Sequence, residues 1–320
     1  MSNRTITKFS AFVISLAAAS ATFSGCGFLP ESNSRASSDT DRRSPDYAAP
    51  KEVGRIESDQ ITESSGIAAS QCQPDVFWTH NDSGDGAYVY ALDGAGRNLG
   101  TWRVTGAENK DWEDIAAFRD AKGVCFLYIG DIGNNELKKN RLTVYRVREP
   151  RVSESDRGTT RAEARETESA TAIAFRYSDA PHNAETLLVH PKTADIYILT
   201  KSKSEASFVH RLRPASDATT LNVTEQIAEL SVPAIPDGLL TGGDISPDGK
   251  RVAVCDYFSG YELLLPDDAD GFDEIWKSKP LAVELGERKI GEAIGYSADG
   301  RALFATSEEK NRPMIRVERR

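Results

Sequence analysis

The chain has 320 residues, 39% of them hydrophobic, and 49 acidic residues against 39 basic ones give a net charge of −10. That length suffices for one large domain plus a processing segment, and on length alone for two domains. So acidic a balance argues against nucleic acid as a partner and against adhesion to anionic lipid head groups, and leaves acid free to serve cations.

Residues 1–25 read as a signal peptide. Arg4 and Lys8 precede an apolar run of about fifteen residues ending in small ones, too short for a membrane span of roughly twenty. The segment Phe23-Ser24-Gly25-Cys26 resembles the lipobox of bacterial lipoproteins. That resemblance implies that Cys26 is lipidated, that the peptide before it is removed, and that the new N-terminus is acylated as well. Two or three acyl chains hold a protein stably at a membrane, where one does not. Gly27 stands where an inner-membrane retention signal would place Asp. The expected location is therefore the cell envelope outside the cytoplasm, at the outer membrane in a cell that has two. The alternative is an ordinary signal peptide with a chance cysteine. Losing residues 1–25 removes two basic residues and no acidic one, which moves the net charge from −10 to −12. Residues 26–50 are rich in Ser, Asp, Arg and Pro and poor in large apolar groups, so they are expected to form a disordered tether.

From Lys51 onward short alternating runs are separated by turn residues, the pattern of a sandwich, barrel or propeller. Repetition favours the propeller. Five segments begin with an acidic or hydroxyl residue, continue as a small-and-aliphatic strand, turn, and return as a strongly apolar strand. They are ESSGIAAS/DVFWTHND, EDIAAF/CFLYIGD, ETLLVH/DIYILTK, TGGDIS/RVAVCDY and EAIGYS/ALFATSEE. A third strand follows each, and a fourth (RNLGTWRVT, TAIAFRYS, LNVTEQIAEL, KPLAVELG) follows all but the last. EVGRIES at 52–58 is the expected missing strand, closing the ring and removing its exposed edge. The expected fold is thus an all-β, five-bladed propeller over residues 51–320, with six blades as the alternative and a sandwich third.

The strings THNDSGD, DWEDIA, YIGDIGNN and GEAIGYSADGRALFATSEE resemble a widespread group of bacterial lipoprotein β-propellers over roughly residues 60–310. No defined reaction comes with that likeness. A second likeness is to the calcium-activated nucleotidases (apyrases), five-bladed propellers whose central calcium is held by glutamate and serine side chains at the starts of the innermost strands. Superposing the blade starts puts Ser65, Glu113, Glu185, Thr241 and Glu292 at equivalent positions. The likeness stops at this ring, since no matching nucleotide-binding loops occur. Electrostatics favours the same conclusion. Three carboxylates converging on one axis must be protonated, spread apart or neutralised by a cation. Calcium, with six to eight oxygen ligands, suits such a ring better than zinc, which favours Cys or His. The alternatives are another hard cation, or strand ends hydrogen-bonded between blades with no ion.

First strands begin and second strands end on one face of a propeller. His80, Asn81, Asp82, Asp131, Asn134, Asn135, Lys201, Asp256, Tyr257 and Glu308 are therefore expected to surround the mouth above the ring. Turn chemistry alone also explains the Asn and Asp residues among them. His80 is the candidate general base and Lys201 the candidate anchor for an anionic substrate. No Gly-x-Ser-x-Gly, His-Glu-x-x-His or phosphate-binding P-loop is present. The segment DDADGFDE at 267–274 lacks EF-hand spacing and reads as a solvated loop. On the opposite face the turns of adjacent blades carry Cys72 and Cys125, the expected disulfide, while Cys255 sits in an apolar strand as a buried free thiol. Two functions follow: a calcium-containing module that binds a small-molecule or protein ligand at the cell envelope, or a calcium-dependent hydrolase of phosphorylated or esterified small molecules.

Overall fold

The computed structural model describes residues 46–203, 206–217, 219–233 and 239–320. Cys26, the expected signal peptide and most of the expected tether lie outside them. The fold is an all-β propeller of five four-stranded blades. Strand β1 (Lys51–Arg55) opens the described chain. Blade 1 is β2 (Ser64–Ala69), β3 (Phe77–Asn81), β4 (Tyr88–Leu92) and β5 (Asn98–Arg103). Blade 2 is β6 (Trp112–Arg119), β7 (Cys125–Asp131), β8 (Leu142–Arg148) and, beyond the short β9 (Arg165–Glu166), β10 (Thr171–Arg176). Blade 3 is β11 (Ala184–Val189), β12 (Ile196–Thr200), β13 (Ser207–Leu212) and, beyond β14 (Asn222–Val223), β15 (Glu225–Leu230). Blade 4 is β16 (Gly242–Ile245), β17 (Arg251–Cys255), β18 (Gly260–Leu264) and β19 (Leu281–Val283). Blade 5 is β20 (Gly291–Tyr296), β21 (Ala302–Ser307) and β22 (Pro313–Glu318), completed by β1.

The closing strand is shorter than EVGRIES suggests. Lys51 pairs with Arg316 and Arg55 with Pro313, after which Ile56 and Ile61 enter the core. The propeller also begins earlier than composition suggests. Tyr47 is buried, bridges to Arg319, and donates its hydroxyl to Glu262 at 2.6 Å. Residues 46–50 thus belong with the blades. The long spacing between Glu113 and Glu185 comes from the segment after β8, whose β9 runs parallel to β5 of the neighbouring blade. LNVTEQIAEL divides likewise: β14 joins β10 of blade 2, and only β15 completes blade 3. In DDADGFDE the first acids are exposed, but Asp273 accepts the Tyr197 hydroxyl at 2.8 Å and Phe272 packs on Tyr197.

The apolar core consists of five wedges, one between each pair of successive blades. Trp78, Trp102 and Trp112 fill the wedge between blades 1 and 2. Phe175 and Leu187 sit in the second, Tyr197 and Trp276 in the third, Tyr296 and Leu303 in the fourth, and Phe77 and Phe304 in the fifth. Innermost strands are buried on both faces, which explains their run of small and aliphatic residues rather than a strict alternation. Their approach is close: a Cβ on Gly295 would run into the Ile67 carbonyl oxygen of blade 1.

Each innermost strand is also the inner edge of its sheet, so N–H groups facing the axis need acceptors from elsewhere. Two buried carboxylates supply them. Asp114 on β6 accepts the N–H of Leu187 on β11 at 2.9 Å and of Gly243 on β16 at 3.3 Å. Asp244 on β16 accepts the N–H of Tyr296 on β20 at 2.9 Å. Burial raises both acids, Asp114 well above the usual carboxylate range and Asp244 to about 7.

On the face where first and second strands turn, Cys72 and Cys125 form a disulfide with Cα atoms 6.2 Å apart, joining blades 1 and 2. Cys255 is a free, buried thiol. Replacing Cys72 and Cys125 together by serine is expected to cost about 2–4 kcal/mol in urea unfolding, the usual contribution of such a crosslink. A loss below 1 kcal/mol would mean that the inter-blade wedge alone holds this junction.

Candidate functional site

Four of the five innermost strands carry a β-bulge near their start, and the extra residue is Ser65, Glu113, Glu185 or Glu292. A bulge re-aims one side chain out of the strand's alternation. Here it turns each of these residues into one cavity of about 1000 Å³ at the mouth of the ring. Blade 4 differs: its paired strand begins only at Gly242, one residue after Thr241, whose N–H donates to the Cys255 carbonyl oxygen at 2.9 Å. Thr241 is fully buried between blades, and its hydroxyl donates to the Gly291 carbonyl oxygen at 2.8 Å. It is not a member of the ring around the cavity.

The three glutamates converge as the blade alignment predicts. Burial, then the neighbouring Glu185 carboxylate, pushes Glu113 well above the usual range. Burial and Glu185 likewise push Glu292 up to about 9, and a hydrogen bond links it to Glu308. Glu185 is raised mainly by burial, although Lys201 donates from Nζ to its carboxylate and also to the Tyr257 hydroxyl at 2.7 Å. Burial pushes Asp82 up to about 6, with smaller contributions from Asp111 and Glu63. The Ser65 hydroxyl donates to the Glu113 carbonyl oxygen at 2.7 Å.

Asp82, Asp111 and Glu113 bring carboxylate oxygens within 4.8 Å of one another. Asp111 is absent from the expected set because it lies in the loop before β6, outside the repeated strand pattern. Its carboxylate also receives Lys139 Nζ at 2.8 Å. The second glycine of YIGDIGNN makes this crowding possible: a Cβ on Gly133 would collide with both Glu113 and Asp111.

The expected mouth residues divide into two groups. Asp82, Asn135, Lys201, Tyr257 and Glu308 line the cavity. His80, Asn81, Asp131, Asn134 and Asp256 do not, and each is buried. His80 is fully enclosed against Trp112, ring centroids 5.7 Å apart, and Nδ1 lies 2.9 Å from the Asn81 carbonyl oxygen. Burial lowers it to about 4. A neutral imidazole walled off from the cavity is no general base. Asn81 accepts the N–H groups of Thr62 and Glu63, Asp131 that of Asp111, and Asp256 those of Phe258 and Ser259. Asn134 accepts the Lys139 N–H at 2.9 Å. Turn and loop chemistry accounts for these four residues. Pro181, His182, Asn183, Phe208 and the exposed Leu137 form the outer wall of the cavity.

No protein-family model matches this sequence, and no curated protein matches it. Among solved structures the chain is similar to a gluconolactonase from Xanthomonas campestris, at 12% identity over 85% of this chain and 95% of that one, with a TM-score of 0.45. It is also similar to U3-55K, at 8% identity over 87% and 100% with a TM-score of 0.42. The WD40 repeats of RRP9 match at 8% identity over 86% and 100%, with a TM-score of 0.43.

Proposed function

We propose that this protein is an extracytoplasmic β-propeller, anchored through lipid on Cys26, that binds calcium in the acidic cavity and uses that site to recognise a ligand or partner of the cell envelope. The observation that carries the reading is the crowding of Asp82, Asp111 and Glu113 within 4.8 Å, beside Glu185 and Glu292. Two ionised carboxylates at that separation repel by about 3.5 kcal/mol at an effective dielectric near 20. Lys139 and Lys201 offset Asp111 and Glu185, and leave Asp82, Glu113, Glu292 and Glu308 in the cavity as acids. The donors are all hard oxygens, which suits calcium, with Asp82, Asp111 and Glu113 as its protein ligands and water completing the shell. Glu185 and Glu292 then set the charge around the ion rather than holding it.

Calorimetric titration of chelator-treated protein is expected to give one calcium per chain, with a rise in melting temperature. Glu113→Gln should weaken binding at least tenfold, because it removes the one ligand shared by the bulge and the triad. Unchanged affinity in that variant would place calcium elsewhere and end this reading.

A second reading, calcium-dependent hydrolysis, is favoured by two carboxyls of split acidity in one cavity, Asp82 near 6 and Glu292 near 9. Pairs pushed apart in this way are how base and acid roles are divided. In this reading Asp82 serves as base in place of His80 and not as a calcium ligand, leaving Asp111 and Glu113 to hold the ion. Nucleotide, phytate, lactone and aryl-ester substrates tested with and without calcium separate the two readings. Turnover that Asp82→Asn abolishes supports hydrolysis; a flat panel with calcium-dependent melting supports the binding module.

A further inference from the structure

We propose that Asp179, His182 and His210 form a second metal site, for a borderline transition-metal ion such as zinc, at the junction of blades 2 and 3. The three residues come from separate places: Asp179 and His182 from the segment joining β10 to β11, and His210 from the middle of β13. One ligand atom from each lies within 4.8 Å of the others. His182 Nε2 is 2.7 Å from Asp179 Oδ2, and the two imidazole centroids are 5.3 Å apart.

The state of His210 points to a ligand. It is fully buried, Nδ1 meets the Thr224 hydroxyl at 3.2 Å, and Nε2 has no hydrogen-bond partner. A buried polar nitrogen without a partner calls for an explanation, and an ion is one of the few that fit. With Nδ1 engaged by Thr224, Nε2 is the ring's free nitrogen, the arrangement in which an outer hydrogen bond sets which nitrogen ligates. Tyr177 packs edge-on against both imidazoles, at 4.9 and 4.6 Å, and fixes their planes.

Two imidazoles and one carboxylate suit zinc, with water in the fourth position, and do not suit calcium. Tetrahedral zinc brings its donors about 3.4 Å apart, given metal–ligand distances near 2.1 Å. Asp179, partly exposed in a bend, closes the remaining gap by side-chain rotation. The ion takes the place of the hydrogen bond between His182 and Asp179. Because His182 also lines the acidic cavity, the ion fixes one wall of that cavity. The molecule then holds two ions of different hardness, an oxygen-bound one in the ring and a nitrogen-bound one in its wall.

The test is titration of chelator-treated whole protein with zinc against a coloured zinc chelator, in excess calcium, with melting temperature read in parallel. One zinc per chain is expected. His182→Asn should weaken it by more than the roughly 10–100-fold lost when only an orienting partner is removed. Asp179→Asn, at a more exposed position, serves as a second variant that leaves the buried wedge intact and should weaken zinc at least tenfold. Glu113→Gln should leave zinc binding unchanged. Absence of zinc binding, binding insensitive to both His182→Asn and Asp179→Asn, or binding lost in Glu113→Gln instead would overturn the proposal.

Discussion

Asp114→Ala is expected to lower unfolding stability by about 5 kcal/mol, because it strips the acceptor from N–H groups of three strands at once. The Leu187 and Gly243 amides belong to blades 3 and 4, and Ile115 to the strand that carries Asp114 itself. Each buried donor left without an acceptor costs about 1–3 kcal/mol. Nothing else in the described tunnel takes over, since Asp244 is committed to Tyr296 and Ile245. Asp114→Asn retains one acceptor oxygen and should lose about half as much. Urea unfolding at constant m-value is the measurement. A loss below about 1 kcal/mol for the alanine variant would show that the axis-facing amides find water instead, and that Asp114 is not what ties blade 2 to its neighbours.

The second large effect is a pH dependence that calcium should abolish in part. Glu113, Glu185, Glu292, Glu308 and Asp82 all lie above their ordinary values, chiefly because burial disfavours their charged forms. A group raised in the folded state binds protons more tightly there than in the unfolded chain. Its contribution is complete below the unfolded value and is lost as pH climbs to the folded one. For Glu292 that window runs from 4.5 to about 9. Chelated protein should therefore be most stable near pH 5 and lose several kcal/mol by pH 9. Calcium favours the ionised carboxylates and displaces their protons, so its affinity rises with pH and the two stability curves diverge. Asp114 and Asp244, away from the cavity, keep a residual slope in both. Parallel curves with and without calcium would sink the idea that the ion and these protons compete for one site.

Blade number and order were legible because each unit repeats the same polarity pattern from its opening residue to its second strand. Cys72 and Cys125 were legible for the same reason, since neighbouring blades must carry equivalent turns side by side. What the chain's residue order conceals is the bulge. An extra residue reverses which way every side chain before it faces, and no alternation announces that reversal. Thr241 and Glu292 occupy aligned positions, yet only Glu292 reaches the cavity, while the Thr241 hydroxyl is engaged by the Gly291 carbonyl oxygen. His80 misled for another reason: it belongs to the fully buried strand Phe77–Asn81, whereas Asp82 lies just past that strand's end and lines the cavity. Asp111 and the Asp179–His182–His210 group were invisible for a different reason. They meet only through the docking of loops onto blades, and nothing within any one repeat brings them together.

The strand that closes the ring also sets where the described chain begins. Tyr47 bridges to Arg319, and Arg319 donates its N–H to Arg301, in the first turn of blade 5, on the face opposite the acidic cavity. The described chain thus starts behind the ring, so a label joined at Asp46 sits on the side away from the acidic cavity.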